Sequence, residues 1–234
     1  RRRPRLAQTA LVVGVLVFVL TGWRVLSDAA LRQLEDRYSV PGGDLSKYAG
    51  VIVLGGVIHR EDGRGHGQLP LGESGERIVA RACVLCGWRA LRFNFRGVGA
   101  SPGAYDEGRG ELQDMLAAIE QQAPADAPLA IAGFSFGAFV ASQAVAALQG
   151  RRPIERVVLV GTAAQHFAVA PVPAELHAAT LVIHGEHDDT VPLAAVLDWA
   201  RPQSLPVTVV PGGGHFFHGQ LPLLKSLVAR HVRA

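Results

Sequence analysis

Leu129-Ala130-Ile131-Ala132-Gly133-Phe134-Ser135-Phe136-Gly137-Ala138 is the stretch on which the reading of this chain turns. Its first four residues are small or branched and apolar, as in a strand buried on both faces, and the run from Gly137 to Leu148 has the composition of a helix. The Gly-x-Ser-x-Gly pattern therefore falls on a strand–turn–helix step, the setting that gives it chemical meaning. Glycines on either side leave room for a sharp turn, which lifts the serine hydroxyl clear of the sheet. The helix N-terminus and the backbone N–H of Phe136 then face any negative charge that develops beside Ser135.

A serine hydroxyl is a weak nucleophile until a base removes its proton, and the base needs a carboxylate to orient it. For this turn the expected order along the chain is serine, acid, histidine. Downstream, Leu181-Val182-Ile183 leads into His184-Gly185-Glu186-His187-Asp188-Asp189-Thr190-Val191-Pro192, and an expected strand at 205–210 leads into Gly212-Gly213-Gly214-His215. Asp188 and His215 each leave the carboxyl end of a strand. The expected catalytic set is Ser135, Asp188 and His215.

Working outward, apolar runs alternate with helical patterns. Strands are expected at Gly50–Gly56, Arg89–Phe95, 129–133, 156–160, 180–184 and 205–210. Helices are expected at Glu73–Gly87, 110–122, 137–148, 192–200 and 219–232. This alternation predicts an α/β fold, a mostly parallel sheet with helices on both faces, whose ligands gather at the carboxyl ends of the strands.

From about Cys83 onward the chain resembles a small bacterial α/β-hydrolase family. The likeness is carried by Phe93-Asn94-Phe95-Arg96-Gly97-Val98-Gly99-Ala100-Ser101, by Gly133-Phe134-Ser135-Phe136-Gly137, by the Gly-x-x-Asp-x-x-Val-Pro pattern of Gly185 to Pro192, and by Gly214-His215-Phe216-Phe217. The family pattern places the acid at Asp188, leaving Asp189 to cap the helix expected near Pro192. It makes the Arg96-Gly97-x-Gly99 loop structural, packed beside the serine turn. The stretch from Gly161 to Thr180, where larger hydrolases insert a lid, is too short for a lid domain. An open site and a small or accessible acyl substrate, an ester above all, are implied.

Residues 1 to about 81 resemble instead the SanA-type family of envelope proteins, through Gly50 to Gly56, the Gly67-Gln68 turn and Glu73-Ser74-Gly75-Glu76-Arg77. The chain thus reads as a fusion: residues 1–26 a membrane anchor or signal-like helix, 27–48 an amphipathic linker helix and turn, and 49–234 a hydrolase-like domain. Within that domain, 49–82 carry SanA-like sequence and the leading strands of the hydrolase sheet are missing or replaced. On this reading strand 51–54 takes the place of the hydrolase's oxyanion strand, and Gly55 or Gly56 joins Phe136 as backbone N–H donor. The competing reading is a membrane-anchored envelope module that binds a small ligand and carries a weak or inactive hydrolase site.

Composition sets the remaining bounds. Ala7 to Trp23 is almost wholly apolar and follows Arg1, Arg2, Arg3 and Arg5, which predicts an uncleaved single membrane span with the arginines inside and the catalytic body on the periplasmic side. A cytoplasmic body is the alternative. Those arginines lie behind the net charge of +3, so no basic face points to nucleic acid. Cys83 and Cys86 read as small helix-borne thiols and not a redox pair. His184, His187, Asp188, Asp189, His215 and His218 match a metal set by count but lack metal-site helical spacing, so no metal or other cofactor is expected. Phe93, Phe95, Phe134, Phe136, Phe216 and Phe217 are expected in the core and pocket wall.

Overall fold

The computed structural model describes residues 50–56, 75–98 and 101–233. In chain order the elements are β1 (Gly50–Gly56), α1 (Gly75–Leu85), β2 (Arg89–Phe93), α2 (Arg109–Gln122), β3 (Leu129–Ser135), α3 (Phe136–Leu148), β4 (Ile154–Val160), β5 (Thr180–Gly185), α4 (Leu193–Ala200), β6 (Val207–Val210) and α5 (Leu221–Arg233). 3-10 helices at Ala174–Ala179 and Arg201–Gln203 complete the set. Several boundaries differ by a residue or two from those the sequence indicated, and two have a clear physical reason. β6 starts at Val207 because Pro206 has no N–H to give the ladder. β2 stops at Phe93, and Phe95 leaves the sheet to pack in the core, edge-on against Phe93 and Phe136.

All strand pairs are parallel, in the order β2-β1-β3-β4-β5-β6. The chain steps outward from β1 to β2, then returns to the far side of β1 and continues through β6, so the order reverses between β1 and β3. That switch point is where open α/β sheets form a crevice at their carboxyl ends. Ser135 ends β3 there, and the register places Gly55 opposite Phe134 and Gly56 opposite Ser135.

The alternation of side chains along β3 divides the core. Leu129 and Ile131 face a layer built from α2, α3 and α4, with Met115, Ile119, Val140, Val145 and Val196. Ala130, Ala132 and Phe134 face Ile78, Val79 and Cys83 of α1 and Leu224, Val228 and Val232 of α5. In α5 these three recur every fourth residue, which gives one apolar stripe. The indole N–H of Trp88 donates to the Val232 carbonyl at 3.1 Å and ties the start of β2 to that helix. Helix α3 is buried nearly all round, from Phe136 to Val145, and lies between the sheet and the segment that follows β4.

No helix among the described residues is long and apolar enough to cross a membrane. The span expected at Ala7–Trp23, the linker helix and the Gly67-Gln68 turn lie outside the described residues.

Candidate active site

Gly133 lets α3 begin immediately after β3. A Cβ there would run into the backbone of Gly137 and Ala138, so the strand and the first helical turn meet as only glycine allows. Between them Ser135 adopts φ +55° and ψ −119°, an unfavourable conformation for a residue with a side chain, and becomes the N-cap of α3. The N–H groups of the first turn, beginning with Phe136, have no partner inside the helix and open beside the serine.

Asp188 and His215 arrive from neighbouring loops held together by their backbones. Glu186 N–H donates to the Val210 carbonyl at 3.0 Å and His187 N–H to the Gly213 carbonyl at 2.8 Å. The Glu186 carboxylate in turn accepts the Gly212 N–H at 2.8 Å. From this joined pair of loops, Asp188 and His215 are both buried. The His215 Nδ1–H donates to Asp188 Oδ2 at 2.7 Å, and the Ser135 hydroxyl donates to His215 Nε2 at 2.9 Å. Asp188 Oδ1 accepts the N–H groups of Thr190 at 3.0 Å and Val191 at 2.7 Å. Burial alone would raise the Asp188 pKa, but its bonds from His215 and Val191 and its attraction to the two histidines outweigh that, leaving it below the ordinary carboxylate value. The structure thus brings Ser135, Asp188 and His215 into one chain of hydrogen bonds. Such a chain can draw a proton from the serine oxygen and steady the imidazolium that results.

Around this chain the aromatic residues form walls. Phe134 and Phe216 flank the His215 ring, with centroids at 5.3 and 5.0 Å. On the other side Phe136 packs against Tyr105, Phe139 and Phe167, and these last three line an open cleft of about 510 Å³. Arg96 does support its loop, as expected. Its guanidinium and its own N–H both bond to Asp114 on α2.

Asp189 does not cap α4: the N-cap is Pro192, without a side-chain bond, and Asp189 is exposed. Asp188 already takes the N–H groups of this turn, which leaves its neighbour without a capping role. His187 and His218 are exposed, the first beside Glu186 and the second tilted over Phe216. Both thiols are free; Cys83 is buried and burial pushes it up to about 12, so it is inert.

Three structural roles near the site went unnoticed in the sequence. Gly161 turns the end of β4 beneath His215 at φ +56°. Glu111, fully buried, accepts the N–H groups of Asp106 and Gly108 at 2.9 Å each and so closes the loop into α2; its place three residues after Gly108 was the available signal. His184 lies buried against Asp188.

With this geometry in view, the relationships of the chain can be stated. The sequence profile of the alpha/beta hydrolase fold matches residues 70–179. An uncharacterized protein of Rickettsia prowazekii is 33% identical over 168 residues, covering 62% of this chain and 66% of that protein, so the chain spans about two thirds of that relative's length. A serine hydrolase without a lid from Xanthomonas campestris is 31% identical, superimposes with a TM-score of 0.65, and is matched over 83% of this chain and 85% of its own. A serine hydrolase homologue from Coxiella burnetii is 28% identical, with a TM-score of 0.58 over 81% of this chain and 87% of that one. A shared parallel sheet, a serine turn at its switch point and this extent of common sequence lead to one conclusion: the chain belongs to the α/β-hydrolase superfamily.

Proposed function

We propose that the chain is a serine hydrolase that cleaves a small or accessible acyl ester through an acyl-enzyme. The observation that carries this reading is the bonded sequence Ser135 Oγ, His215 Nε2, His215 Nδ1, Asp188 Oδ2, set on a strained serine. As Ser135 Oγ attacks the ester carbonyl carbon, His215 Nε2 takes its proton and Asp188 balances the charge on the ring. The carbonyl oxygen, now negative, is met by the Phe136 N–H and by backbone from Gly55 or Gly56, whose strand runs beside the serine. His215 returns the proton to the departing alcohol, and water then repeats the sequence to release the acid. Each oxyanion donor is expected to contribute on the order of a hundredfold to turnover.

The segment from Gly161 to Ala179 supports an accessible site: it contains one 3-10 helix and no lid domain. The aromatic cleft beyond Phe136 suits the apolar part of an acyl group. Labelling with a fluorophosphonate tests the reading. Folded native protein is expected to label and Ser135→Ala is not; equal labelling, or none in either, would sink it. The same reading places the catalytic body on the periplasmic side of a membrane held through Ala7–Trp23. A reporter fused after His231 that works only in the cytoplasm would refute that location.

A further inference from the structure

His184 is the last residue but one of β5, is wholly buried, and stands outside the chain from Ser135 to Asp188. Its Nε2 lies 2.9 Å from the Val191 carbonyl and 3.4 Å from Asp188 Oδ2. Both neighbours are acceptors, so this nitrogen carries the ring proton and Nδ1 is bare. Nδ1 has no hydrogen-bond partner among the described residues. An apolar side chain would avoid that unpaired nitrogen. What the imidazole supplies, and an apolar residue lacks, is the donor at Nε2.

That donor acts on the acid from two directions. The bond to the Val191 carbonyl closes the loop from the end of β5 to Val191, whose own N–H donates to Asp188 Oδ1 at 2.7 Å. The same N–H faces Oδ2, the oxygen that receives His215 Nδ1–H at 2.7 Å. We propose that His184 is a positioning residue for the reaction, an imidazole whose Nε2–H ties the acid loop shut at Val191 and holds Asp188 so that Oδ2 addresses His215. Burial pushes the pKa of the ring down, and the charged or titratable groups it meets are Asp188 and His215. The proposal rests on the reading of Ser135 as nucleophile.

Two neutral amides separate positioning from filling space. In His184→Gln the amide nitrogen reaches the place of Nε2, whereas in His184→Asn it stops at the place of Nδ1. With p-nitrophenyl acetate, His184→Asn is expected to lose roughly tenfold to a hundredfold in kcat with little change in KM, and to lose the same factor in fluorophosphonate labelling rate. His184→Gln is expected to recover most of both. Equal rates for the two amides would overturn the proposal. Native protein gives an independent check that needs no variant: nitrogen NMR of labelled histidines under the assay conditions should show the His184 proton at Nε2, and a proton at Nδ1 overturns the assignment. If native protein fails to label at Ser135, the hydrolase reading falls and this proposal with it. If it labels and the amides match, this proposal alone falls.

Discussion

Gly161→Ala places a single methyl group against the base and permits a quantitative expectation. A Cβ at 161 would stand 3.3 Å from His215 Cε1, 3.4 Å from Nδ1 and 3.9 Å from Asp188 Oδ2. Carbon atoms prefer about 3.5–4.0 Å, so the imidazole must yield by roughly 0.3–0.5 Å. Phe134 and Phe216 flank the ring and Asp188 holds Nδ1; the displacement is therefore taken up mainly at the 2.9 Å contact of Nε2 with Ser135. That contact would lengthen to about 3.2–3.4 Å, beyond the usual range of a hydrogen bond to a hydroxyl. If a misplacement of about 1 Å costs on the order of a hundredfold, a third to a half of it costs roughly fourfold to tenfold in kcat. The left-handed backbone at 161 adds a stability loss of about 1–2 kcal/mol, seen as a fall in Tm of roughly 2–8 °C. Gly150 supplies the control, since it has φ +69° and no atom within 4 Å of a Cβ. Gly150→Ala should lower Tm by a similar amount and leave kcat unaltered. The assay is turnover of p-nitrophenyl acetate beside calorimetric Tm for both variants. Equal kcat values in two variants of equal Tm would refute the claim that β4 fixes the position of the base.

Asp188→Asn keeps the shape of the acid but removes the charge that steadies the imidazolium, so kcat should fall by on the order of 10⁴ while Tm changes little by comparison; a loss under tenfold would contradict the role given to Asp188. Tyr105 is 45% exposed at the rim of the aromatic cleft. In Tyr105→Ala, KM should rise about threefold to tenfold for a p-nitrophenyl butyrate and less for the acetate, and identical changes for both esters would remove the cleft from the acyl site. Burial lowers the pKa of His184 and of His231, which bonds to the Ala179 carbonyl. The unfolded chain therefore binds protons that the native one refuses, and stability is full above about pH 6.5 and falls below it, by at most about 1.4 kcal/mol per pH unit for each ring. Asp188, held low, contributes a further loss only at more acid pH, as pH falls below the ordinary carboxylate range toward its folded value. A Tm that stays flat from pH 8 to pH 5 would contradict the histidine assignment.

The serine turn was legible because all of its causes are local: the apolar strand, Gly133 for close approach, and the helix pattern after Gly137 fall within twenty residues. Asp188 and His215 were legible as partners of Ser135 for a related reason, since each follows its own strand directly. Their order and chemistry were enough to name Asp188 and His215. The Asp189 error shows the limit of that method. From sequence, either of two adjacent carboxylates can cap a turn, and only the fold reveals that Asp188 takes the N–H groups of Thr190 and Val191 while its other oxygen meets His215. Register between distant strands left no local trace. That Gly56 stands opposite Ser135 depends on pairing two segments about eighty positions apart. The left-handed turn at Gly161 beneath His215 and the burial of His184 against Asp188 were equally hidden, because each appears only once the chain is folded.

How the triad parts are mounted explains why its geometry depends on β4. Asp188 and His215 are fixed to one another within a single unit, the two loops after β5 and β6 joined by Glu186, His187, Gly212 and Gly213. Ser135 is fixed separately by β3 and α3. No residue of β3 pairs with β5; within the sheet the two strands are related through β4, which pairs with both. The distance from Ser135 Oγ to His215 Nε2 is therefore set by β4 and by the way it leaves the sheet. Gly161 is its first residue beyond the strand, bonded through its N–H to the Ile183 carbonyl of β5 at 2.9 Å and bent beneath the imidazole. A change within the acid and base loops can move Asp188 and His215 together and keep their 2.7 Å bond, whereas a change at 161 alters their relation to the serine. Loss at Asp188 and loss at Gly161 should accordingly differ in kind: the first removes stabilisation of the imidazolium at an intact contact, and the second stretches the contact that passes the proton.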